Sequence, residues 1–109
     1  MRIACLRVVT GLTLLWALPA HAATVDTPQC RADLPKAARL IDAVAARDRA
    51  GPIRDTARLC AALRRNRADM KAAADILNRC LTGHERGENV GQLVASIADV
   101  DHVVATRCR

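Results

Sequence analysis

Cys30, Cys60, Cys80 and Cys108 are the residues of this chain most able to do chemistry. Thiolates could act as nucleophiles, redox pairs or ligands of a soft metal. The spacing argues against each of these. No C-x-x-C occurs, so neither a thioredoxin-type redox pair nor a paired-cysteine zinc knuckle is indicated. No C-x-x-C-H occurs, so c-type haem attachment is not expected. Cys80 and His84 are one helical turn apart, but Gly83 is expected to end a helix between them. The remaining use of these cysteines is structural, as two disulfides.

Two further groups carry functional chemistry. His84, Glu85 and Glu88 cluster in the stretch TGHERGE, which reads as a glycine-containing loop. Imidazole and carboxylate together can take a divalent transition metal, although no H-E-x-x-H is present. Arg58, Arg64, Arg65, Arg67 and Lys71 form a basic patch that could dock an anionic membrane surface, phosphate-rich polymer or acidic protein. Asp55, Asp69 and Asp75 partly offset it. Asp99, Asp101 and His102 form a third polar group, in which Asp101 is placed to pair with an arginine across a bundle. Catalysis is not expected. Ser96 is the only serine, it lies in a helical stretch, and no glycine-turn context surrounds it. No glycine-rich phosphate loop follows a strand.

The compartment follows from the first residues. Arg2 and Arg7 give a positive region ahead of a short apolar run from Val8 to Leu18, followed by Pro19 and Ala20-His21-Ala22. That is the pattern of a secretory signal peptide over residues 1–22, leaving one domain over 23–109. The run is shorter than the ~20 residues a bilayer requires, so the chain is not expected to span a membrane after cleavage. Cleavage would remove Cys5 and leave an even set of cysteines, as a periplasmic or secreted compartment allows. It would also remove Trp16, the only aromatic residue. A core of Leu, Ile, Val, Met and Ala buries little area per residue, and a small domain of that kind calls for staples. Nucleic acid is not an expected partner, because the compartment is wrong and no aromatic stacking platform remains.

The elements that position these residues are helices. Ala23 to Gln29 reads as an extended lead. Asp33 and Pro35 read as start signals for a first helix to Ala50, with Leu34, Ala37, Ala38, Ile41, Val44 and Ala45 on one stripe. Gly51-Pro52 ends it. A second helix is expected from Pro52 to Leu81, with Ile53, Ala57, Cys60, Leu63, Met70, Ala74, Leu77 and Leu81 in phase. A turn near Asn66 would instead divide it and give four helices. After the TGHERGE loop, Asn89 and Gln92 have capping-box spacing for a third helix, whose apolar stripe runs from Val90 to Cys108. The fold expected is all-α, a small antiparallel three-helix bundle.

Helix arithmetic ranks the disulfide pairings. Cys60 and Cys80 on one continuous helix would be about 30 Å apart, far outside bridging range. An antiparallel hairpin places the foot of the first helix opposite roughly residue 70, and the lead carries Cys30 on toward Cys80. The second hairpin places Cys108 opposite roughly residue 63, within a turn of Cys60. The pairs are therefore Cys30–Cys80 and Cys60–Cys108, each closing a loop worth roughly 4 kcal/mol by the chain-entropy model. The function expected is that of an exported, non-catalytic interaction module, such as an adaptor, inhibitor or stress-protective factor, without a cofactor. The alternatives are a metal-binding or metal-delivery protein using the His84 loop, and a structural envelope protein.

Overall fold

A computed structural model describes residues 24–109, and the expected leader over residues 1–22 lies outside them. The described chain is an all-α, antiparallel three-helix bundle: α1 (Pro28–Arg49), α2 (Thr56–Cys80) and α3 (Gly83–Arg107). Among the described residues, no helix is long and apolar enough to cross a membrane.

α1 starts earlier than the Asp33-Pro35 signal implies. Thr27 is its N-cap, Pro28 follows in the first turn, and the Thr27 hydroxyl accepts from the Cys30 N–H at 3.2 Å. Pro35 therefore lies inside the helix, exposed, where its missing N–H forgoes one backbone bond. That cost is offset locally, because the turn before it is anchored by buried Cys30 and its bond to Cys80. The extended lead is correspondingly short. Thr24 bridges to Leu81, and the Val25 N–H donates to the Cys80 carbonyl at 2.8 Å. α1 ends at Ala50, and Gly51 takes a φ of 96°, which a side chain would disfavour.

α2 is the hub. It starts at Thr56 rather than near Pro52, because the Asp55 carboxylate caps it by accepting from the Ala57 and Arg58 N–H groups. Ile53 consequently lies outside the helix and is exposed. The helix runs unbroken through Asn66, so the four-helix alternative does not hold. Asn66 itself is buried, and its side-chain carbonyl accepts from Arg47 at 2.9 Å.

α3 begins at Gly83, six residues before the expected start at Asn89. Leu81 and Thr82 are extended, and Gly83, at φ 59°, turns the chain straight into the helix. The TGHERGE stretch is thus helix from Gly83 on, not loop. Asn89 lies inside it, with its amide donating to the Glu85 carbonyl at 2.8 Å. Gly87 and Gly91 are each unfavourable in a helix by about 1 kcal/mol, yet they do not stop it. Glu85 in the first turn suits the helix dipole, and Val90 and Leu93 pack on the core.

The core is lopsided. Cys30, Ala37, Ala73, Ile76, Leu77, Cys80 and Leu81 form one buried cluster at the end where α1 begins and α2 finishes, with Val25, Leu34, Leu40, Val90 and Leu93 packed against it. α1 and α3 both pack on α2 but not on each other: no pair of their Cα atoms comes within 8 Å. Cys30–Cys80 bridges Cα atoms 5.3 Å apart within the core, and Cys60–Cys108 bridges 5.7 Å at the opposite, thinly packed end.

Candidate interaction surface

All four expected cysteines are in disulfides, with the pairing read from the helix arithmetic. They are the frame of the surface rather than its chemistry.

The metal candidates are only partly brought together. His84 and Glu88 are one turn apart at the start of α3, with Nε2 3.3 Å from the Glu88 carboxylate, and both are strongly exposed. Glu85 lies on the same first turns but does not complete a cluster. Among the described residues, no group of three or more His, Cys, Asp or Glu side chains is placed to hold a metal ion. Set one turn apart on a helix, His84 and Glu88 together offer two side chains to one ion.

The basic patch divides into three. Arg67 crosses to α3 and pairs with Asp101, which fulfils the expected cross-bundle ion pair. Arg64 donates from Nη2 to the Cys108 carbonyl at 3.1 Å, which satisfies one of the open carbonyls at the end of α3. Arg58 and Arg65 stay exposed. They line a shallow depression of about 320 Å³ with Arg47 of α1, over Ala61 and Ala62. Lys71 is exposed farther along α2.

Sequence reasoning missed three members of this surface. Arg107 and Arg109 lie beside Arg64, around a second depression over Cys60 and Cys108. Arg47 arrives from α1 and is held by Asp69 at 2.7 Å and by Asn66. The signal for Arg107 and Arg109 was the Cys60–Cys108 bond itself, since a chain end tied to Cys60 must carry its neighbouring arginines to the start of α2. Nothing in the spacing of Arg47 marked it.

The result is a polarised molecule. The end capped by Cys60–Cys108 carries Arg47, Arg58, Arg64, Arg65, Arg107 and Arg109. Of the nearby carboxylates, Asp69 is bound to Arg47 and Asp55 to the backbone of α2. The opposite end mixes signs: Asp26 pairs with Arg31, and Asp33 with Arg79 at 3.4 Å. The Asp33 carboxyl is held below its ordinary value of 3.8, first by the Gln29 amide that donates to it at 2.9 Å and then by Arg79. No family model matches the chain, and no curated protein or solved structure is significantly similar to it.

Proposed function

We propose that the chain is an exported, non-catalytic interaction module that docks an acidic protein partner on its arginine-rich end. One observation supports this above the others. Exposed Arg58 and Arg65 of α2 lie near Arg64, Arg107 and Arg109, and the Cys60–Cys108 bond ties the last two to the start of α2. Arginine forks suit carboxylates because each presents paired donors in a rigid plane. A surface already stapled loses little freedom when a partner lands on it, which favours affinity. The disulfides suit an oxidising compartment, consistent with the leader read in residues 1–22.

The test is retention of envelope proteins on the immobilised, oxidised chain, compared with an Arg58→Glu/Arg65→Glu variant. Both side chains are exposed, so the variant is expected to keep its thermal midpoint. An acidic protein retained by the wild type, released by salt and lost from the variant supports the reading. Retention that ignores both salt and the substitutions, or no retention at low salt, overturns it.

A further inference from the structure

α3 combines two properties that conflict. It is the most apolar of the three helices, carrying Val90, Leu93, Val94, Ile97, Val100, Val103 and Val104. Yet no residue of α3 is buried, whereas α2 buries eight. Because α1 and α3 do not meet, an open groove runs between them. Met70 and Leu77 of α2 floor it, Ile41, Val44 and Asp48 of α1 form one wall, and Leu93 and Ser96 of α3 form the other, around a volume of about 290 Å³. Covering this groove would take apolar side chains of all three helices out of water.

The groove side of α3 shows what would cover it. Asn89, Gln92 and Ser96 line the groove. Extending that face by helical spacing reaches Glu85 toward the start of the helix and Val103 and Arg107 toward its end. The face is acidic at one end and basic at the other, with Asp99 at its edge between them. Such a helix complements a reversed copy of itself. Glu85 and Arg107 are each eleven residues from Ser96. About a two-fold axis at Ser96, Glu85 falls opposite Arg107 of the second copy, and Arg107 opposite that copy's Glu85. Asn89 then faces Val103, and Gln92 faces Val100. The small Ser96 side chain on the axis lets the backbones approach, and the two helix dipoles oppose. This is the self-complementary pattern that an isologous interface requires.

We propose that a second copy of this chain covers the groove, with α3 packed antiparallel on α3 of the other copy about an axis at Ser96. Arg107 also belongs to the arginine-rich end proposed above, so the dimer and the acidic partner would compete for it, and the test of the dimer contains no partner.

The experiment is sedimentation equilibrium on the oxidised chain, expressed with its leader and recovered from the envelope, over a range of concentrations. The wild type is expected to dimerise. Glu85→Arg and Arg107→Glu should each weaken association by on the order of tenfold or more, since symmetry turns two attractions into two repulsions. The double variant Glu85→Arg/Arg107→Glu should restore association, because the swapped charges again face each other. Ser96→Arg should yield a folded monomer. A wild type that stays monomeric overturns the proposal. So does a dimer indifferent to the single charge swaps, or a monomer whose groove takes up fatty acid instead.

Discussion

Arg47 near the end of α1 reaches Asp69 of α2 at 2.7 Å, and the same guanidinium nitrogen donates to buried Asn66 at 2.9 Å. Asp69 and Arg47 are only partly exposed, so this is a semi-buried tie between two helices in the half of the molecule with little apolar core. Replacing Arg47 by Met would leave the Asn66 carbonyl buried without its donor and Asp69 without its charge partner. The expected cost is about 2 kcal/mol of stability. Urea unfolding followed by circular dichroism checks it. An unchanged midpoint would mean that water satisfies both groups.

The two disulfides are expected to fail differently. Cys30–Cys80 sits inside the apolar cluster, so Cys30→Ala/Cys80→Ala should lower global stability, by about 4 kcal/mol on the chain-entropy model. Cys60–Cys108 ties down the end of α3, where only α2 is available as a neighbour. Its removal should show first as local opening. In Cys60→Ser/Cys108→Ser, amide exchange should accelerate from Val100 to Arg107 while Ala73 to Cys80 stay protected. Uniform acceleration across all three helices would refute this division.

Asp33 gives the acid response a direction. Its carboxyl is stabilised as the anion by Gln29 and Arg79, so its value in the folded chain lies below that in the unfolded chain. A depressed carboxyl contributes stability above its unfolded value and loses it as pH falls through the folded one. Wild type should therefore exceed Asp33→Asn in stability at about pH 6, with the gap closing by about pH 2. Denaturant titrations of both proteins at the two pH values measure it. A gap that persists in acid would show that the ionised carboxylate is not the source of the difference.

The parts of this fold legible in the sequence were those set by periodicity and length. The stripe of α2 kept its phase across Arg64-Arg65-Asn66-Arg67, and the helix does the same. Axial height alone ranked the cysteine pairs. The helix starts were less legible, and for related reasons. At Pro35 local propensity pointed to a boundary, while the Cys30–Cys80 bond in the turn before it carried the helix past; Gly83 is a boundary, but as the start of α3, and Gly87 lies inside that helix. The openness of the bundle could not be read at all. Ile41 and Val94 lie on apolar patterns, yet both are exposed, because a pattern does not say how closely two outer helices approach. For the surface, Arg58 and Arg65 were legible as exposed charges. The diversion of Arg67 to Asp101 and of Arg64 to Cys108 needed the third helix in place.

The placement of the bonds at opposite ends of α2 also fixes how the molecule bears a mechanical load. Tension applied between Thr24 and Arg109 enters at Cys30 and passes directly to Cys80. It then runs back along α2 to Cys60 and leaves through Cys108. Only the stretch of α2 between Cys60 and Cys80 lies on that covalent path, so α1 and most of α3 hang from it unloaded. Even with α2 fully drawn out, that stretch lengthens to about 70 Å, a small fraction of what the same chain would reach with its thiols reduced. Pulled in this way, the oxidised protein has a reach capped by its two bonds, and α1 and α3 keep their seat only while α2 stays helical.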